Sequence, residues 1–412
     1  MKISRLYAAL AALLIFTCAM AQNSTMTPFS RYGYGILSDN ATSAQRAMGG
    51  VGYAMNSGRQ INVMNPASYA AIDSLTFLFD MGIDFNTLWS KEGEYSENNF
   101  SGGLDYITMS FPVAKRIGVG LGLLPYSSTG YSFGSTINNG STLRSGSGSI
   151  NQAFVGVGVS PFKGAYVGAN FGYLFGKTLN DVYAYTITGS TSVFQREMKV
   201  RDWKMEFGVQ YTFPVGLDNL VTVGATFAPG KDLHGETFGT YYDGSADAKP
   251  DTVGYTKLNG KYSIPATYGV GLNYRWRNRL MVEADFTYQP WKDAKFAAIE
   301  DFEQTEFNNR WRVGVGAQYT PAPRGGYWQR VNYRVGAFYN NDYLMIRGNK
   351  VKEYGASVGF GFPVPGFKTV VSLGIEYRHR QASPNPLIKE QYLNITLGVN
   401  FNEMWFRKSK IY

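Results

Sequence analysis

The stretch YRWRNRLMVEADFTYQPW, Tyr274–Trp291, alternates large apolar side chains with charged or polar ones. On an extended chain Val282 and Phe286 share one face, whereas Glu283 and Asp285 share the other. A soluble protein would turn the apolar face towards its core, and the stretch is too aromatic for a surface loop. A carboxylate at membrane depth is costly unless it lines water or has a partner. The stretch therefore predicts a turn and then a strand with one face on lipid and the other on a lumen.

The same period of two recurs from about residue 75 to 401. VGVGAQY (313–319), VSLGIEYRH (371–379) and LNITLGVNF (393–401) each divide into an apolar and a polar or small face, which is typical of strands with two different environments. Counting such runs predicts about fourteen strands, an even number as in bacterial single-chain barrels. They lie near residues 75–89, 102–113, 117–134, 146–160, 165–184, 195–213, 219–242, 252–276, 279–296, 306–320, 328–343, 350–363, 369–381 and 390–402.

The connections alternate between tight basic turns and longer polar segments. PVAKRIG, SPFKGAY and FPVPGFK are short, whereas SKEGEYSENNFS (90–101) and YDGSADAKPDTV (242–253) are longer. Short periplasmic turns and longer outer loops are typical of outer-membrane barrels. We therefore predict an all-β fold, a transmembrane antiparallel β-barrel over 75–402 followed by a short periplasmic tail, 403–412. A soluble β-sandwich is the alternative, although such domains are shorter.

The N-terminus reads as a targeting segment. Lys2 and Arg5 precede the apolar run LYAALAALLIFT, and the motif AMA follows it, which together predict a cleaved signal peptide over 1–21. An ordinary helix and a lipoprotein anchored at Cys18 are the alternatives. Cleavage would remove Cys18, the only cysteine, and hence exclude disulfides and cysteine–metal sites from the mature chain.

Composition favours a Gly- and aromatic-rich β-protein. The 412 residues include 48 Gly, 30 Tyr and 27 Phe, and only 17% are charged. The net charge is +9, but the basic residues are scattered among turns, which argues against a nucleic-acid surface. No apolar run is long enough for a membrane helix. The two histidines, His234 and His379, have neither metal-ligand spacing nor a nucleophile placed beside them. We therefore expect no cofactor, no metal, no nucleic-acid partner and no enzymatic activity.

Residues 22–74 lack the alternation. They are rich in Gly, Ala and Ser, with glycines at Gly49 and Gly50 and the tripeptide Asn65-Pro66-Ala67. Because a fourteen-strand barrel leaves a wide lumen unless something fills it, we predict that this segment folds inside as a plug. A periplasmic extension that docks on a partner is the alternative.

Three stretches carry a resemblance to a known family. SRYGYG…QRAMGGVGYAMNSGRQINVMNPASY resembles the N-terminal hatch of the FadL-type outer-membrane long-chain fatty-acid and hydrocarbon transporters, including its Asn-Pro-Ala motif at Asn65-Pro66-Ala67. SIPATYGVGLNYRWRNRLMVEADFTYQPW (263–291) is similar to a strand pair of that family, and GVGLGLLPYSSTGYS (118–132) to its third strand. The resemblance, to a Bacteroidetes-type member, implies a plugged fourteen-strand barrel in the outer membrane of a Gram-negative cell.

The resemblance also implies passive transport of a hydrophobic small-molecule ligand, with long-chain fatty acids as the family default. Several family members instead serve as scaffolds or shuttles for secretion or assembly machinery. An accessory subunit without transport activity, held by other outer-membrane proteins, is therefore the second hypothesis. Outer-membrane lipid is expected as a partner under both.

Candidate site residues follow from the strand faces. Proline cannot donate to a strand ladder, so Pro125 predicts a break, which with Gly130 marks a candidate lateral opening; a position at the outer rim is equally compatible. Trp276, Tyr288 and Trp291 are expected in the interfacial aromatic girdles. Charged side chains expected on the luminal face are Glu206, Arg275, Glu283, Asp285, Arg312, Arg334, Glu376 and Arg378.

Overall fold

The computed structural model describes residues 25–187, 191–243, 251–257, 261–297 and 306–405. The predicted signal peptide, 1–21, and most of the predicted tail lie outside these ranges. Within them the protein is almost entirely β, and no helix is both long and apolar enough to cross a bilayer.

A closed antiparallel barrel of fourteen strands forms the wall, as predicted. The first strand pairs with the second and also with the last, which closes the circle. The strands are β1 (Thr76–Glu92), β2 (Tyr95–Ala114), β3 (Ile117–Ile137), β4 (Gly140–Val159), β5 (Ala165–Thr186), β6 (Thr191–Val215), β7 (Asn219–Ala228), β8 (Thr267–Trp276), β9 (Leu280–Gln289), β10 (Arg310–Tyr319), β11 (Asn332–Ile346), β12 (Asn349–Pro363), β13 (Val370–Ser383) and β14 (Lys389–Met404).

The strand faces are inverted relative to a soluble protein. In β9 the side chains of Val282 and Phe286 are exposed, whereas Glu283 and Asp285 are only 1% and 5% exposed. The same alternation, apolar outwards and polar inwards, recurs in β8, β10 and β12. Such a wall suits lipid outside and a polar interior.

Shorter elements decorate the barrel. A hairpin at the outer end joins strands Gly235–Asp243 and Asp251–Lys257, and its first strand pairs with β6. Two-residue strands lie at Ile36–Leu37, Lys231–Asp232, Ser263–Ile264 and Glu306–Phe307. Helical turns comprise the 3-10 helices Pro28–Arg31, Pro66–Ala71 and Trp291–Asp293 and the one-turn α-helices Ser43–Arg46 and Tyr327–Arg330.

Several predicted strand boundaries were wrong at the outer end. The predicted strands 219–242 and 252–276 each contain a wall strand and one strand of the outer hairpin, because alternation continues in sequence while the chain changes partner. The inner half of β6 pairs with β7, and its outer half pairs with the hairpin. The predicted loop 90–101 consists mostly of β1 and β2, which turn tightly at Gly93, where φ is +58°.

An aromatic cluster lies at the outer end of the barrel, and it shows that the predicted position of Trp291 was wrong. Trp291, expected in a girdle, is fully buried. The chain leaves the wall after β9 and folds inwards, so that the Trp291 ring lies 4.6 Å from Tyr343 and 5.6 Å from Phe307, centre to centre. Tyr34, from the chain's N-terminal part, packs 5.7 Å from Trp291. The cluster therefore joins outer loops to residues that precede the barrel.

Candidate functional site

The N-terminal segment, defined here as residues 25–75, touches the inward face of every wall strand. Many of the contacts are at glycines, whose missing side chains let another backbone approach closely. A Cβ added at Gly168 would lie 2.5 Å from the backbone of Pro66, and one at Gly398 would lie 2.6 Å from the Ser43 side chain. One contacting residue from each strand, β1 to β14 in order, is Gly82, Tyr106, Gly118, Gly158, Gly168, Gly208, Gly224, Gly271, Asp285, Gly316, Gly336, Gly359, Gly374 and Gly398.

Gly49 and Gly50, predicted as motif residues, form a left-handed turn against β10, β11 and β12. Their φ angles are +73° and +69°, a conformation that glycine adopts without a steric penalty. Arg312 donates from its guanidinium to the Gly49 carbonyl at 2.7 Å and to the Gly50 carbonyl at 3.3 Å, and Gly49 N donates to Ser357 Oγ at 2.9 Å.

Asn65 caps the 3-10 helix Pro66–Ala71. Its Oδ1 accepts from Ala67 N at 3.1 Å, while its Nδ2 donates to the Tyr53 carbonyl at 2.7 Å and the Val209 carbonyl of β6 at 3.2 Å. One buried amide thus satisfies the helix start, a second part of the segment and the barrel wall.

Three of the predicted luminal charges bind the backbone of residues 52–56. Asp285 Oδ2 accepts from Gly52 N at 2.6 Å and Tyr53 N at 3.0 Å, and Glu283 Oε1 accepts from Ala54 N at 2.8 Å. Arg275 donates to the carbonyl of Asn56. The inward carboxylates Glu283 and Asp285 therefore bind the backbone of the N-terminal segment.

The other predicted charges lie apart from that group. Arg378 pairs with Glu376 at 2.5 Å and with Glu353 at 3.0 Å. Arg334 donates to Gln318 on the neighbouring strand β10 and to Ser372 on β13, two strands away on the other side. Glu206 is half-buried and lines a small cavity of about 60 Å³.

An unpredicted ion pair joins the segment to β10. Asp39 lies 2.5 Å from Arg310 and 3.4 Å from Arg312. Burial alone would raise the pKa of the Asp39 carboxyl, but the two arginines outweigh burial and hold that pKa well below its usual range. Asp39 lies in a stretch without periodicity, so no sequence pattern predicts it.

Other charged luminal residues were also missed, although a signal existed. Those on the strands occupy inward positions of the same alternation: Asp84, Arg310, Glu353 and Arg380. Arg46, which pairs with Asp105 at 2.7 Å, lies on the one-turn helix Ser43–Arg46 and follows no strand pattern.

The pairing of β2 with β3 covers only part of these fully described strands. The pairing runs from Ala114 opposite Ile117 to Ile107 opposite Leu123 and ends there. Beyond that point Pro125 remains paired with Asn151 of β4, with a register shift between Pro125 and Ser127. Pro125 therefore lies beside a register shift in the β3–β4 pairing, and its role in a lateral opening stays a prediction.

The N-terminal segment pairs with the edge of β3 that β2 leaves. Ile36 and Leu37 pair with Ser128 and Ser127. Further out, Thr27 N donates to the Gly130 carbonyl at 2.7 Å and Gly130 N donates to Ser30 Oγ at 3.0 Å. Gly130 is thus a contact of the segment.

A cavity of about 470 Å³ lies between the segment and the wall at this place. Its lining includes Gly103–Asp105 of β2 and Pro125, Ser127 and Ser128 of β3. Much of the remaining lining is charged: Asp39, Arg46, Asp84, Arg312, Glu376, Arg378 and Arg380. The cavity is therefore polar, although it borders the unpaired part of the wall.

The family model described as BamG matches residues 3–412, nearly the whole chain. The chain belongs to the BamG family. A comparison with proteins of curated function gave no significant match. Among the described residues of this BamG-family chain, no three His, Cys, Asp or Glu side chains are grouped as metal ligands.

Solved structures similar to this BamG-family chain are barrels of the FadL type. A FadL homologue from Pseudomonas aeruginosa is 12% identical, with a TM-score of 0.63, over 89% of this chain and 99% of that one. The toluene transporter TodX from P. putida is 14% identical, with a TM-score of 0.62, over 90% and 100%. The toluene transporter TbuX from Ralstonia pickettii is 14% identical, with a TM-score of 0.57, over 88% and 98%. At such identities the likeness establishes the fold.

Proposed function

We propose that this protein is an outer-membrane barrel through which hydrophobic small molecules pass passively, leaving sideways into the bilayer. The observation that carries the proposal is the cavity beside the unpaired stretch of β2 and β3. A molecule in that cavity has lipid on the far side of a wall that no β2–β3 ladder closes. The related barrels named as transporters support this proposal through their shared fold.

The N-terminal segment would act as the plug. Its contacts with all fourteen strands support this role, because a barrel of this size has a wide lumen unless something fills it. Its pairing at Ile36–Leu37 with β3 places one part of it directly beside the cavity. Release of this short pairing would widen the route without unfolding the wall.

The polar lining bears on which hydrophobic molecules could pass. A pure hydrocarbon would gain little from a cavity lined by Asp84, Arg312 and Arg378, because burying charges against an apolar surface costs free energy. An amphiphile can place its polar head among these charges and its tail in the wall. Long-chain fatty acids, the ligands expected from sequence, are amphiphiles with an anionic head and therefore satisfy this condition in part. The origin of the protein as a Bacteroidetes-type family member stays a prediction.

A disulfide between the segment and β3 tests the proposal. Ile36 and Ser128 are direct partners across the pairing, and the described residues contain no cysteine. The double variant Ile36→Cys/Ser128→Cys should oxidise to a bridge that locks the segment to β3. We expect oxidation to reduce uptake of a labelled long-chain fatty acid at least tenfold, and reduction to restore it.

A matched control uses Ser135→Cys/Thr142→Cys, which bridges β3 and β4 at their outer tip. These two residues are also direct partners, with hydroxyls 3.0 Å apart, and they lie away from the segment. Oxidation of this pair should leave uptake unchanged. Equal uptake by the oxidised and reduced forms of the first variant would contradict a gate at this position.

The second candidate function is an accessory subunit of an outer-membrane secretion or barrel-assembly complex. The BamG family name hints at association with a complex. At the end where β1 starts and β14 finishes, an aromatic stack offers a contact: Trp405 is half-exposed and lies 4.0 Å from Phe77, which also stacks on Phe111.

A pull-down of the native protein in mild detergent separates the two candidates. Proteins and lipids in one eluate would be identified by mass spectrometry. Stoichiometric protein partners that are lost on Trp405→Ala, without uptake activity, would favour the subunit. A lone barrel with uptake activity would favour transport.

A further inference from the structure

Two carboxylates in the cavity have acceptor atoms without a side-chain partner. Asp84 is 8% exposed, lines the cavity, and is bonded by no other side chain of the described residues. Asp105 Oδ1 accepts a hydrogen bond from Arg46, but Asp105 Oδ2 is buried without a partner. Buried acceptors normally have donors, and a carboxylate accepts most strongly from a cationic donor. Asp105 Oδ2 therefore lacks the donor that a buried carboxylate oxygen normally has, and Asp84 lies in the same lining.

A bulge in β2 aims Asp105 at the same place. The β1–β2 register shifts here, with Gly82 opposite Tyr106 but Ile83 opposite Leu104, so that Asp105 is the extra residue. Bulges re-aim side chains next to functional sites. Both Asp105 and Tyr106 are consequently buried, while Leu104 is exposed on the outer face.

The cavity lining also includes the guanidinium groups of Arg378 and Arg380 on β13. Arg378 keeps 24% of its side chain accessible despite its ion pairs, and Arg380 has a buried Nε without a partner. Guanidinium groups bind phosphate oxygens through charge-assisted hydrogen bonds. The lining therefore presents anionic acceptors beside the β2 edge and cationic donors on β13.

We propose that the cavity binds the headgroup of a zwitterionic phospholipid carrying both an ammonium and a phosphate. The ammonium would lie against Asp84 and Asp105 and the phosphate against Arg378 and Arg380. The acyl chains would leave between β2 and β3, where the exposed Leu104 and Leu123 flank the unpaired stretch. This inference rests on the proposed function, since it names the amphiphile that would use the same lateral route.

Equilibrium lipid binding tests the inference without requiring transport. Purified protein would be titrated in detergent with phosphatidylethanolamine, with phosphatidylglycerol, which has the phosphate but no ammonium, and with water-soluble glycerophosphoethanolamine. Native mass spectrometry would count bound molecules. We expect a single tight site that prefers phosphatidylethanolamine roughly tenfold over phosphatidylglycerol, with glycerophosphoethanolamine binding much more weakly.

The variant Asp84→Asn should abolish the preference for phosphatidylethanolamine. It removes one negative charge from a residue that no other side chain of the described residues binds. Asp84→Glu should retain it, and Asp218→Asn, at an exposed turn, should match the wild type. Heat-modifiable migration on gels would verify folding of each variant. Equal binding of both lipids by the wild type, an unchanged preference in Asp84→Asn, or equally tight glycerophosphoethanolamine would each overturn the inference. Selective binding without uptake would instead contradict the transport proposal alone.

Discussion

At the scale of single residues, Asp285 is the strongest test of how the wall holds the segment. Its carboxylate accepts two backbone bonds, from Gly52 and Tyr53. Asp285→Ala should leave both buried donors without an acceptor and lower the free energy of unfolding by about 3–6 kcal/mol, since bonds to charged groups contribute about 1.5–3 kcal/mol each. Urea unfolding in detergent, followed by tryptophan fluorescence, measures the change.

Asp218→Ala is the matched control, because Asp218 is half-exposed at a turn and pairs only with the exposed Arg277. Surface pairs of this kind contribute 1 kcal/mol or less, roughly. Equal losses in the two variants would show that Asp285 does not hold the segment.

Asp39 predicts a pH dependence. Its pKa in the folded protein lies below the unfolded value of about 3.9, so its stabilising contribution is present above that value and is lost as pH falls through the folded pKa. The stability difference between the wild type and Asp39→Asn should therefore stay constant from pH 7 to about 5 and shrink below about pH 4. Thermal unfolding at stepped pH would check this, and a difference that grows at low pH would be the contrary outcome.

At the scale of elements, the packing of the segment against wall glycines can be tested by adding one methyl group. A Cβ at Gly336 would collide with the backbone of Met48 and Gly49. Gly336→Ala should therefore loosen the segment and expose it to protease, whereas Gly103→Ala, a strand glycine with no atom within 4 Å, should not. Identical cleavage of both variants would contradict tight packing.

Strand elements were well predicted from sequence, and the reason is physical. A wall between lipid and a polar lumen imposes a period of two, so Val282 and Glu283 already indicate their faces. The outer hairpin Gly235–Asp243/Asp251–Lys257 was not separated from the wall, because a strand above the membrane alternates in the same way. Trp291 was misplaced because its burial depends on Tyr34 and Tyr343, which are distant in sequence.

The candidate site was predictable only where it lies on strands. The inward carboxylates Glu283 and Asp285 follow from alternation, and the same rule extended to β1 would have found Asp84. Asp105 could not be found in this way, because it is the extra residue of a bulge, where the alternation breaks. Asp39 and its partner Arg310 could not be paired from sequence, since 271 positions separate them and no period governs the segment.

At the scale of the whole molecule, the proposed plug predicts electrical behaviour. In planar bilayers the wild type should show little steady conductance, because the segment contacts every strand. Deletion of residues 25–72 should produce large, stable channels, as expected of an unfilled fourteen-strand barrel. Heat-modifiable migration would verify that the variant folds, and a folded but non-conducting deletion would contradict the plug.

The closing pair of β1 with β14 has a consequence for biogenesis. The N-terminal segment is synthesised before the strands and ends up encircled by them, with its backbone packed against glycines of most wall strands. The N-terminal segment is thus placed to act as a template, around which the sheet curves before β1 pairs with β14.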